Sequence, residues 1–461
     1  MTPAGTPERI GGSFRDPSGF LFTLDGALYR RVNPAYIPHY DRLMRSGLYD
    51  ALAGAGLLIP HREVSPACGD APAGSKLLMP EIVPFVSYPY EWCFGQLKDA
   101  ALATLEIQRT ALGHGMTLKD ASAYNIQFVA GKPLLIDTLS FACREEGAPW
   151  VAYRQFCQHF LAPLALMSRS DVRLGQLLRV YVDGVPLDLA SALLPLGSRF
   201  RFSLLAHIHL HARVQAACAG RPGKAGGRAL PRFGLLALID NLRAAVERLR
   251  WEPRGTEWGG YYGATNYPAG ALERKKALVS EFLEIARPRT VWDLGANTGL
   301  FSRVAGGKGM ETVAMDGDPA AVETNYRQCR RGKETRIHPL LVDLTNPSPS
   351  MGWAGEERMS LAARGPADAV MALALVHHLA IANNTPLPEI ARFLAGIGKW
   401  LVVEFIPKSD SNARRLLSTR EDIFPDYAEG PFEAALGERF TTERKARIPG
   451  TERTLYLMRR R

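Results

Sequence analysis

Cysteine is scarce in this chain: six among 461 residues, at Cys68, Cys93, Cys143, Cys157, Cys218 and Cys329, with no CxxC pair. That scatter argues against a zinc site and a disulfide framework, and for a reducing compartment, the cytoplasm. Long apolar runs are missing as well. No stretch reaches the roughly 20 residues of a membrane helix, so no membrane insertion is expected. The opening MTPAGTPERIGG lacks the basic, apolar and small-residue order of a secretion signal. What remains, 46% hydrophobic and 22% charged, is the balance of a soluble globular protein long enough for two or three domains.

Acidic residues are sparse in one region. The net charge is +10, and between Arg199 and Arg250 ten basic residues face only Asp240 and Glu247. Such a cluster suits phosphates, of a nucleic acid or of a phosphorylated small molecule. A solvated helical face plus a flexible loop is the preferred reading of it. The cluster reads as free of interleaved aromatics, which disfavours nucleic acid.

The Gly-, Pro- and Arg-rich AGRPGKAGGRALPR marks a boundary. It separates an α+β domain over 1–218 from a C-terminal domain over 261–461, with a linker and lead-in helix at 219–260. Beyond it the pattern turns regular. RTVWDLG, ETVAMDGD, HPLLVDLT, DAVMALAL and KWLVVEFIP are apolar runs of strand length. Helical patterns such as AAVETNYRQCRR and LPEIARFLAGIGKW alternate with them, which predicts a parallel, doubly wound α/β sheet. FTTERKARIPGTERTLYLMRR closes the chain as a hairpin that adds an antiparallel strand.

Asp293-Leu294-Gly295-Ala296-Asn297-Thr298-Gly299 follows the first of these strands and precedes a helix near Leu300. Gly295 and Gly299 permit a tight turn and close approach of a ligand to the backbone. Asp293, ahead of the glycines, would repel the pyrophosphate of a dinucleotide. It would attract the ammonium and sulfonium of S-adenosylmethionine (SAM). Asp316 ends the second strand, where a carboxylate can take both ribose hydroxyls. Asp343 ends the third, placed to accept from an adenine amino group. Each alone reads as a cap or surface acid; the set of three does not.

VWDLGANTGLFS, VAMDGDP and LLVDLT together resemble the class I SAM-dependent methyltransferases. The resemblance implies a seven-stranded Rossmann-like sheet with SAM across its strand tips. Asp293, Gly295, Asn297 and Gly299 would then line the methionine end, Asp316 the ribose and Asp343 the adenine. Tyr261, Tyr262 and Tyr267 resemble a segment that caps the cofactor. After the fourth strand, His377 and His378 are candidates to take an acceptor's proton or orient it; a buried, helix-capping His is the other reading. Glu404, at the end of the fifth, is the third catalytic candidate. No DPPY-like tetrapeptide and no Cys follow the fourth strand, which disfavours nucleobase amino methylation and a covalent cysteine mechanism. The expected acceptor is a small molecule or glycan, methylated by in-line displacement. The arrangement is also similar to host-specific nodulation proteins described as methyltransferases.

The N-terminal half holds a second constellation, Asp120, Asn125 and Asp137 at intervals of D-x4-N and twelve residues. It resembles the catalytic and metal-binding loops of protein kinases and aminoglycoside phosphotransferases, which implies magnesium and ATP. The chain departs from them: there is no GxGxxG loop, Thr138-Leu139 replaces Phe-Gly, and Arg30 or Arg31 stands near the place of the nucleotide-binding lysine. An unrelated α+β domain with Asp120 and Asn125 as caps is the alternative. His207, His209 and His211 give half a metal site at best, so no metal ligand set is assigned.

Overall fold

The computed structural model describes residues 7–65, 73–213, 230–253, 270–418 and 421–461. The chain divides into two compact units, Met1–Trp251 with Met351–Arg358, and Glu252–Ser350 with Met359–Arg461.

In the first unit an antiparallel sheet comes first: β1 (Glu8–Arg9), β2 (Gly19–Leu24), β3 (Ala27–Val32), β4 (His61–Val64) and β5 (Lys76–Pro80), in the order β1-β2-β3-β5-β4. The β2–β3 hairpin turns at Asp25-Gly26, both at positive φ, as a type I′ turn demands. Val32, Tyr36, Tyr40, Leu78 and Leu139 form a core under it. A largely helical region follows, built on the helix Phe94–Gly113. Two small ladders flank its loops, β6 (Met116–Leu118) with β9 (Phe141–Cys143) and β7 (Ile126–Val129) with β8 (Lys132–Leu135).

The expected lead-in helix, Arg232–Arg248, belongs to this first unit. Lys98 Nζ donates to the carbonyls of Glu247 and Leu249, both at 2.9 Å, and Arg243 pairs with Glu106 at 3.1 Å. These bonds hold it against Phe94–Gly113. The Glu106 carboxylate also neutralises Arg243 of the basic region, whereas Asp240, one of that region's two acids, is taken up by Arg109 from outside it. Residues 351–358 join this unit too. The guanidinium of Arg358 lies 4.4 Å over the Tyr124 ring and Glu357 pairs with Arg15.

The expectation that aromatics do not interleave with the basic residues fails at Arg199-Phe200-Arg201-Phe202, where all four side chains are exposed. His207 and His209 are occupied by hydrogen bonds. His207 bonds Tyr153 at 2.7 Å and Asn241 at 2.8 Å; His209 bonds Ser191 at 2.7 Å and Ser198 at 2.8 Å.

The second unit contains a seven-stranded sheet: β10 (Thr290–Leu294), β11 (Glu311–Asp316), β12 (Ile337–Leu341), β13 (Ala367–Ala372), β14 (Gly398–Phe405), β15 (Phe440–Arg447) and β16 (Thr454–Arg460). Their order is β12-β11-β10-β13-β14-β16-β15, with β10 to β14 parallel and β16 antiparallel to β14. The order reverses between β10 and β13, and a doubly wound sheet opens a ligand crevice at such a point. The apolar runs predicted as strands are buried on both faces, as a helix-covered parallel sheet requires. Val279, Phe282, Val291, Met371, Val402 and Leu457 pack in one core.

This is the seven-stranded, Rossmann-like arrangement with a terminal hairpin that the sequence led us to expect. One boundary differs. β12 stops at Leu341, so Asp343 stands two residues beyond the strand rather than at its end.

Candidate functional site

A cavity of about 570 Å³ opens at the C-terminal ends of the parallel strands in the second unit, and Asp293, Gly295, Asn297, Asp316 and Asp343 all line it. The turn between β10 and the helix Leu300–Gly306 builds its floor. Gly295 and Asn297 adopt positive φ, and the amides of Gly295 and Ala296 both donate to the Met315 carbonyl at 2.9 Å. Gly299, at φ +82, is not among the lining residues. A Cβ there would stand 2.4 Å from Asn325 Oδ1, so its lack of a side chain serves packing at the helix start.

Asp293 is fully buried and accepts from Ser302 Oγ at 2.6 Å. Burial raises its carboxyl to about 6, against the lowering effect of Ser302. Asp316 accepts from the amides of Asn297 and Asp318, each at 2.8 Å. Burial again outweighs those bonds and brings it to about 6. Asp343 is exposed, with one oxygen held by the amide and hydroxyl of Thr345. Asp318 caps the helix Pro319–Gly332 by accepting from the Ala320 and Ala321 amides.

Of the three catalytic candidates, His378 lines the cavity and His377 and Glu404 do not. Burial lowers His378 to about 4, so its imidazole is neutral at pH 7. His377 is 1% exposed, its ring 4.1 Å from that of His378, and neither of its nitrogens finds a hydrogen-bond partner among the described residues. Glu404 is engaged in a buried ion network. Its Oε2 accepts from Lys275 Nζ at 2.6 Å and from the Ala374 amide at 2.8 Å, while Oε1 lies 3.7 Å from Arg453. Arg453 in turn donates to Asp410 at 2.8 and 3.1 Å.

In the first unit the β6–β9 and β7–β8 ladders bring Asp120, Asn125 and Asp137 together. Asn125 Nδ2 donates to Ser140 Oγ at 3.3 Å, and burial first, then the Asp137 charge, raises the Asp120 carboxyl. Both oxygens of Asp137 and Oδ1 of Asp120 are taken up internally. Asp137 holds Arg30 at 2.5 Å, Ser140 Oγ at 2.6 Å and the Leu139 amide at 3.0 Å. Asp120 Oδ1 accepts from the Ser122 amide at 2.9 Å and Gln155 at 2.8 Å. A divalent cation needs carboxylate oxygens directed at it, and an arginine on Asp137 occupies that role. The residues as arranged do not fit magnesium. Tyr261, Tyr262 and Tyr267 lie outside the described residues, as do Cys68 and Cys218.

No family model matches the chain. Nodulation protein NoeA of Rhizobium meliloti (strain 1021) is 36% identical over 471 residues, covering 100% of this chain and 98% of that protein. The chain belongs to the NoeA family. It is also similar to three solved structures. Magnesium protoporphyrin IX methyltransferase from Synechocystis PCC 6803 matches at 16% identity and TM-score 0.32, over 43% of this chain and 90% of that one. The N-methyltransferase NodS from Bradyrhizobium japonicum WM9 gives 14% and 0.31, over 42% and 97%. The bifunctional kinase-methyltransferase WbdD gives 15% and 0.30, over 43% and 41%.

Among the cavity residues of this member of the NoeA family that sequence reasoning missed, Lys275 is the buried cation. Lys275 is 2% exposed and lines the cavity beside Asp293. Its signal was available: Leu272, Lys275, Val279, Phe282 and Ala286 recur at helical spacing on the apolar face of Ala271–Ala286. A lysine on such a stripe needs a buried partner. Arg453 had no comparable signal, because its partners Glu404 and Asp410 are remote in sequence.

Proposed function

We propose that the second unit binds SAM across its strand tips and directs methyl transfer to a small-molecule or glycan acceptor beside His378. The observation that carries this reading is the convergence of Asp293 and Asp316, at adjacent strand ends, and Asp343, just beyond the next, on one cavity floored by a glycine turn. The residues fit the cofactor's chemistry. Asp293 suits an ammonium, Asp316 a ribose diol and Asp343 an adenine amino group. SAM supplies an electrophilic methyl, and the chain's part is to bind, orient and exclude water.

Neutral His378 can accept a hydrogen bond from an acceptor hydroxyl or amine and so fix its direction. Glu404 acts as a positioning residue, since its carboxylate is committed to Lys275 and the Ala374 amide. The engagement of Asp137 by Arg30 speaks against phosphate transfer by the first unit, which leaves it the part of assisting acceptor binding. Calorimetric titration of SAM into the full chain tests the proposal. Saturable binding that Asp316→Ala weakens at least tenfold is expected, and its absence from the folded wild type refutes it.

A further inference from the structure

In the first unit a projecting turn follows the helix Leu187–Leu193 and spans Leu196–Phe200. Phe200 is 91% exposed, Phe202 74% and Leu196 71%, an unusual concentration of large apolar side chains in seven residues. Arginines alternate with them. Arg199 and Arg201 are exposed, and Arg169 lies close enough to Arg201 that, after burial, the Arg201 charge lowers its pKa. None of these three arginines forms an ion pair among the described residues. Exposed apolar patches mark interaction sites, and a cationic rim selects a partner bearing negative charge.

The turn is held from beneath. His209, 3% exposed, bonds Ser191 of the preceding helix through one ring nitrogen and the buried Ser198 of the turn through the other. Leu194 and Leu204 are buried on either side. The exposed side chains therefore stand on a fixed base rather than on a loose loop.

We infer that this turn is a docking site for an anionic lipid surface, into which Leu196, Phe200 and Phe202 insert while the arginines contact headgroup phosphates. The side-chain types favour lipid over nucleic acid. Phenylalanine can stack on bases, but an exposed leucine gains nothing from a base and gains apolar burial in an acyl boundary. No described helix is long and apolar enough to cross a membrane, so the mode is peripheral. It is independent of the reading of the second unit.

Vesicle flotation of the full chain tests the inference, with phosphatidylcholine vesicles compared with vesicles containing phosphatidylserine. Wild type should float with the anionic vesicles. Arg199→Gln with Arg201→Gln should weaken that binding about 30-fold, and Phe200→Ser with Phe202→Ser at least tenfold. All four positions are exposed, so the variants should keep the wild-type melting temperature. As a second readout, Phe200→Trp should shift its emission to the blue on anionic vesicles. Absence of wild-type binding, or binding that neither pair of substitutions changes, overturns the proposal. So does binding of a single-stranded RNA through these residues with no vesicle binding.

Discussion

Replacing Glu404 with glutamine tests whether its carboxylate is the anchor of a buried ion network. The amide keeps an oxygen for the Ala374 N–H but loses the charge that balances Lys275 at 2.6 Å and faces Arg453 at 3.7 Å. Both cations are 2% exposed or less. Removing one partner of a buried pair leaves the other charge desolvated, which costs about 3–5 kcal/mol. Arg453 retains its two bonds to Asp410, so most of that penalty falls on Lys275. Adding Lys275→Met removes the orphaned charge at similar volume. The double variant should then recover at least about 2 kcal/mol, a coupling visible in a double-mutant cycle. Hydrogen exchange of β14 peptides in rising urea reads the loss within the second unit itself. A Glu404→Gln cost under about 1 kcal/mol, or strictly additive effects, would refute the ion-network account.

The remaining predictions concern the same unit. Asp293 and Asp316 are raised to about 6 by burial, from roughly 3.9 in an unfolded chain. Their protonation therefore stabilises the ligand-free fold fully below about pH 4, and that contribution is lost as pH rises through about 6. SAM affinity should run oppositely, rising at least about tenfold from pH 5 to 7 as each carboxyl ionises; a flat calorimetric profile refutes the assignment. Gly299→Ala combines φ +82 with a Cβ 2.4 Å from Asn325 and should cost about 2–4 kcal/mol in urea unfolding. His377→Leu removes a buried imidazole with no hydrogen-bond partner among the described residues and should raise stability by about 1 kcal/mol. A loss instead would show that a contact of the ring itself matters.

The sheet of the second unit was legible because its signals are local. Apolar runs of strand length, helical spacing between them and Gly295 beside Asp293 all lie within a few residues of one another. A doubly wound sheet then brings successive strand ends to one crevice, so Asp293, Asp316 and Asp343 could be placed together before any coordinates. Gly299 was legible as an obligate glycine but for another reason than its use. Its neighbour Asn325 lies on a helix that only the fold brings there.

Long-range pairing was not written in any local pattern. Lys275 meets Glu404 across 129 positions, and burying both charges turned a catalytic candidate into one already committed to a partner. Arg30 reaches Asp137 because β3 and the β8–β9 segment fold together, which fills a site the spacing alone offered to a metal. Residues 351–358 pack with the first unit although they fall between strands of the second. The sequence by itself determined which segments are strands and which acids stand within a residue or two of their ends, since backbone periodicity is written within each segment. Tertiary structure decided which charges neutralise one another, since in a low-dielectric interior that depends on distances no spacing encodes.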